Sequence, residues 1–175
     1  MEVQRTIDAR KSVRSYMPRP IPDEVLARVL EAGRLSPSAV NYQPWHFVVV
    51  TDPEKKKVLS EGQYGKFVAE APVVIVGLAD KVRSPKWHIV DTTIALQTMV
   101  LAATSEGLGT CWVGSFPEGK VRQALGVPDD YVILALIPLG YSRERDDRGK
   151  EPPRPKNRKS LKEIVSYESF GQPMP

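Results

Sequence analysis

Three continuous apolar runs, Phe47–Val50, Val73–Leu78 and Val132–Ile137, limit most tightly what this chain can fold into. Each is rich in β-branched residues and short, so each reads as a buried strand. Helical spacing fills the rest. Helices are predicted over Val3–Ala9, from about Pro22 to Gly33, from Asp52 to about Ser60, from His88 to about Glu106, over Glu118–Leu125 and briefly over Leu161–Val165. The fourth is the longest. With Ile89, Thr92, Thr93, Leu96, Met99, Val100 and Ala103 inward, it reads as the central buried helix. Strands and helices mix within one core, without a repeat or a linker. That order predicts an α/β (α+β) sandwich in a single domain, residues 1–175, in which the charged, Pro-rich residues 141–175 form a C-terminal arm.

Composition removes several classes of function. Of the 175 residues, 41% are hydrophobic and 26% charged, the balance of a globular chain and not a disordered one. No apolar run reaches the length of a membrane span, and Met1–Arg5 begins no signal peptide. With Cys111 as the single cysteine, the cytoplasm is the expected compartment. A net charge of +4 permits a nucleic-acid partner. However, Glu144, Asp146, Asp147, Glu151 and Glu163 interrupt the basic run from Arg143 to Lys162, and no stacking aromatics accompany it. His46 and His88 lack metal spacing with each other or with Cys111, so no metal is expected. Gly107, Gly109 and Gly114 fail the dinucleotide fingerprint in spacing and in context. Neither a Walker loop nor G-x-S-x-G occurs.

One charged stretch points to a ligand. In extended backbone, Arg10, Ser12 and Arg14 share one face, because side chains alternate with period two. Two guanidinium forks flanking a hydroxyl suit a phosphate. Lys156-Asn157-Arg158 repeats the basic i, i+2 spacing far along the chain.

Five blocks are spread in this order along most of the chain: Arg10–Tyr16, Ser36–Phe47, Ala71-Pro72 before the valine-rich strand, Gly107–Gly114, and Lys156-x-Arg158. Together they resemble the FMN-dependent nitroreductase family of NAD(P)H oxidoreductases. The resemblance implies a three-layer sandwich, a central mixed β-sheet flanked by helices, in a homodimer with FMN at the subunit interface. By it, Arg10, Ser12, Lys156 and Arg158 match positions that hold the FMN phosphate, with Lys11 beside them. Arg14 matches a basic residue near the pyrimidine edge, where positive charge stabilises the reduced ring. Pro37, Ser38, Ala39, Asn41 and Gln43 match residues that line the flavin from across the interface. Trp112, Val113, Gly114 and Ser115 match the segment against one flavin face, its backbone N–H groups near N5. Some relatives carry an acid where Gly114 stands, and a further basic position falls at Gln63 or Lys66. Longer relatives cover the site with a helical excursion before the central helix. Here only Ala79–Trp87 fill that gap, Trp87 being either a cap from the partner or a core or interface side chain.

What the resemblance implies is a ping-pong reductase: hydride passes from NADH or NADPH through flavin N5 to an electron-poor acceptor such as a nitroaromatic or quinone. No side chain is expected to be catalytic, because the cofactor carries the chemistry. The alternatives are reductive dehalogenation or flavin fragmentation on the same scaffold, or a flavin- or nucleic-acid-binding module without turnover.

Overall fold

Strands β1 (Trp45–Val50), β2 (Val73–Asp80), β3 (Gly109–Thr110) and β4 (Tyr131–Gly140) form one sheet in the order β1-β2-β4-β3. They belong to a computed structural model that describes residues 2–143 and 158–173. The three ladders are antiparallel, and an isolated parallel bridge joins Ser12 to Thr110.

The continuous apolar runs work because both faces of β2 and β4 are covered. Val74, Val76 and Leu78 enter one core, and Val73 and Ile75 the other. On β4, Ile133 and Leu136 join the first core, and Ala135, Ile137 and Leu139 the second. A register shift opposite Gly77 and Leu78 lets β4 keep this arrangement across a bulge. β1 lies at the sheet edge, and Val49 there is 37% exposed. So Phe47–Val50 is a strand as expected, but a half-open one, since among the described residues no strand lies beyond it.

Helices α1 (Val3–Ala9), α2 (Asp23–Arg34), α3 (Pro53–Leu59), α4 (His88–Ser105), α5 (Glu118–Leu125) and α6 (Leu161–Ile164) follow the predicted spans closely. α2 and α4 cover the second face through Val29, Leu96, Met99, Val100 and Ala103. α3 and α5 cover the first through Leu59 and Val121, which gives three layers. The Asp52 carboxylate accepts the Lys55 N–H at 2.8 Å and caps α3 ahead of Pro53. Ser160 and Glu163 form a capping box at α6.

The phase of α4 differs from the sequence reading. Asp91, Thr92, Ala95, Leu96, Met99, Val100 and Ala103 are buried, whereas Ile89 and Thr93 face out. The helix is apolar around most of its circumference, so periodicity gave little contrast. Its rotation is set by two close approaches. A Cβ on Gly77 would stand 2.5 Å from Leu96 Cδ1, and one on Gly33 would stand 2.0 Å from Met99 Cε. What remains open is an apolar strip of Ile89, Val90 and Ile94, 38%, 46% and 38% exposed.

Candidate functional site

The Arg10–Arg14 stretch owes its shape to a strand partner. Helix α1 stops at Ala9, and Arg10 takes extended angles, φ −62° and ψ 124°. The chain then runs beside β3, where the Val13 N–H donates to the Thr110 carbonyl at 2.8 Å. Val13 is buried, as is Tyr16, whose hydroxyl donates to the Val13 carbonyl at 2.7 Å. With Val13 turned inward, its neighbours Ser12 and Arg14 are exposed, and Arg10 is half-buried. Lys11 is exposed as well.

The end of β4 returns to this stretch. Met17 N–H donates to the Tyr141 carbonyl at 2.9 Å, and the Arg143 N–H to Ser15 at 3.1 Å. The Arg143 guanidinium donates to the Tyr16 carbonyl at 2.8 Å. The chain therefore leaves Arg143 against Ser15 and Tyr16, which follow directly on the Arg10–Arg14 stretch. In sequence Arg143 is one residue of a charged arm, and nothing local marks a partner 127 residues away. Lys156 lies outside the described residues, and Arg158 is exposed.

After β3 the chain presents Trp112 to Ser115. Val113 is buried and exchanges two backbone hydrogen bonds with Leu136, at 3.0 and 2.9 Å. That pairing turns its neighbours outward. Trp112 is 36% exposed, and its indole N–H donates to Gln97 Oε1 at 3.2 Å. A Cβ at Gly114 would meet nothing within 4 Å, so the backbone there is openly presented. Ser115 is exposed too, and Gly62 packs on its carbonyl: a Cβ at Gly62 would stand 2.1 Å away. Gln63 and Lys66, both exposed, flank that turn.

The Pro37–Gln43 loop is held in an unusual backbone. Val40, Asn41 and Gln43 have φ of 50°, 58° and 49°. Such angles cost roughly 1–2 kcal/mol for an ordinary side chain and less for asparagine. Within the loop, the Gln43 N–H donates to Ser38 Oγ at 2.9 Å, and the Gln43 amide donates to the Asn41 carbonyl at 3.3 Å. From beneath, both Asp91 carboxylate oxygens accept the Ala39 N–H, each at 3.2 Å. The Arg83 guanidinium donates to the Tyr42 carbonyl, and the Asp80 N–H to the Pro44 carbonyl at 2.7 Å. The short Ala79–Trp87 segment is therefore a support for this loop. Trp87 is 42% exposed, which removes the core reading of that side chain.

Within one chain the predicted residues fall into two groups. The Arg10–Arg14 stretch docks on Thr110, just past the C-terminal end of α4, and the Pro37–Gln43 loop docks on Asp91 in its first turn. At 1.5 Å per residue, Asp91 and Ala103 are about 18 Å apart along the axis. Between the two groups lies Trp112, held on Gln97, while the open apolar strip sits beside the loop at the start of α4. The Arg10–Arg14 end offers exposed cations and a hydroxyl, the groups an anion needs, and the backbone at Gly114 is open. Among the described residues, no three His, Cys, Asp or Glu side chains are placed to hold a metal ion, and no helix is long and apolar enough to cross a membrane.

Comparison with known proteins gives the class. The Nitroreductase family model matches residues 7–63 and 59–141. A Methanothermobacter thermautotrophicus relative, provisionally named NADH dehydrogenase/NAD(P)H nitroreductase, is 38% identical over 82% of this chain and 79% of its own. A solved FMN-dependent nitroreductase from Clostridium difficile superimposes with a TM-score of 0.82 at 30% identity, covering 94% of this chain and 98% of its own. Two more distant relatives are the 5,6-dimethylbenzimidazole synthase of Rhodospirillum rubrum (28% identical over 77% of this chain and 79% of its own) and rat iodotyrosine deiodinase 1 (26% over 94% and 68%). The chain belongs to the Nitroreductase family, and it is an oxidoreductase.

Proposed function

We propose that this chain acts as a homodimeric FMN-dependent NAD(P)H oxidoreductase with a flavin at each end of the subunit interface. Bound FMN would supply a two-electron carrier, taking hydride at N5 from NADH or NADPH and delivering both electrons to an electron-poor acceptor such as a nitroaromatic or quinone. In this reading Arg10, Lys11 and Ser12, with Lys156 and Arg158, hold the phosphate. Arg14 stands at the pyrimidine edge. The backbone from Trp112 to Ser115 lies against the ring, and Pro37, Ser38, Ala39, Asn41 and Gln43 close the site from the second copy.

The separation of the two residue groups along α4 carries the proposal. A second copy laid antiparallel across the middle of α4, turned about an axis near Gln97, would bring its loop to the first copy's Arg10–Arg14, and the exposed Ile89, Val90 and Ile94 at the start of α4 are apolar surface for it to cover. A general reductase ranks above dehalogenation or flavin fragmentation, because the short Ala79–Trp87 segment braces a loop and supplies no helical excursion of the kind those variants draw lid residues from. Sedimentation of protein supplied with FMN tests the assembly. A dimer carrying two flavins is expected, and a monomer at micromolar concentration would overturn it.

A further inference from the structure

Asp91 is a buried carboxylate, 3% exposed, and no flavin contact is assigned to it. Burying a carboxylate without partners is costly. Two groups compensate it. It lies in the first turn of α4, where the helix N-terminus favours negative charge, and it takes the Ala39 N–H on both oxygens at 3.2 Å. Ala39 opens the turn in which Val40, Asn41 and Gln43 take left-handed angles. That backbone returns to ordinary angles unless something outside it holds it. Arg83 and Asp80 grip the far end of the same loop at Tyr42 and Pro44.

We propose that Asp91 is a positioning residue of the flavin site: its carboxylate fixes the Ala39 N–H inward and thereby holds the Val40–Gln43 backbone in the form that closes on the cofactor. The proposal rests on the flavin reading given above. Asp91 acts through Ala39 and touches no reacting atom. The loop should then lose cofactor affinity when this one hydrogen bond is deleted from either side.

The test is a double-mutant cycle read by flavin fluorescence on titrating FMN into the cofactor-free protein. Asp91→Ala removes the acceptor. Ala39→Pro removes the donor at a position that opens a 3-10 turn after an extended Ser38, which proline tolerates. Each single change should weaken FMN binding about tenfold, the usual consequence of orphaning a buried hydrogen-bonding group. In the Ala39→Pro background, Asp91→Ala should change affinity by less than about twofold, because the shared contact is already gone. Asp91→Asn keeps an oxygen acceptor and should retain most of the binding. A merely structural role would make Asp91→Ala equally damaging in both backgrounds, and that result overturns the proposal. So does wild-type affinity in Asp91→Ala. If Asp91→Ala does not fold, Ala39→Pro and Asp91→Asn decide: equal affinity in the two overturns it. Wild-type protein that binds no FMN would instead overturn the flavin reading itself, and this proposal with it.

Discussion

Val13 and Gly109 touch so closely that a Cβ on residue 109 would stand 2.6 Å from Val13 Cγ2. The glycine is what lets the Arg10–Arg14 stretch lie flat beside β3, with the Val13 N–H on Thr110. Gly109→Ala should push that stretch outward. Overfilling a packed site costs about 1–3 kcal/mol. A lowered thermal midpoint together with weaker FMN retention is expected, measured by calorimetry and by flavin content after gel filtration.

Arg10 and Arg14 share a face but should divide their work. Arg10→Ala should mainly release FMN, whereas Arg14→Ala should also lower the flavin's reduction potential, because a fixed cation near N1 stabilises the reduced anion. Potentiometric titration beside an affinity measurement separates the two. Equal effects of both variants on both properties would erase the distinction.

Two glycines near the site should respond oppositely to alanine. A Cβ at Gly62 would stand 2.1 Å from the Ser115 carbonyl oxygen, so Gly62→Ala must shift backbone and should be strongly destabilising. A Cβ at Gly114 meets nothing within 4 Å. Gly114→Ala should leave the thermal midpoint unchanged in the cofactor-free protein, and any effect should appear only once flavin is present.

Arg28 on α2 forks onto Glu106 just past α4, with two hydrogen bonds of 2.8 Å. The hydrogen bond from Arg28 holds the Glu106 carboxyl below its ordinary value, against partial desolvation that raises it. A depressed carboxyl stabilises the fold above its unfolded-state pKa, and the contribution disappears as pH falls through the folded-state value. The pair is partly exposed, so the effect should be small. The gap in thermal midpoint between wild type and Glu106→Gln should be open at neutral pH and should close on acidification below about pH 4.

Much of this arrangement was legible because it is local. Val73–Leu78 announces a strand covered on both faces, and Arg10, Ser12 and Arg14 announce a shared face, since each depends only on period. The rotation of α4 was not legible, because a helix apolar all round looks alike from every side until Gly33 and Gly77 fix its contacts. Nor was Asp91: its partner Ala39 is 52 residues away, and an aspartate in a helix's first turn reads as a routine dipole residue. The role of the short Ala79–Trp87 segment was hidden for the same reason, since length reveals a missing lid but not a brace.

A chain that works as proposed must turn over a bound flavin. The most direct measurement is the visible spectrum of protein reconstituted with FMN and freed of excess, recorded anaerobically before and after NADH or NADPH. A visible flavin band that bleaches on addition of either donor and returns with a nitroaromatic or quinone is the predicted result. Protein that retains no flavin, or a retained flavin that neither donor bleaches, would contradict the account.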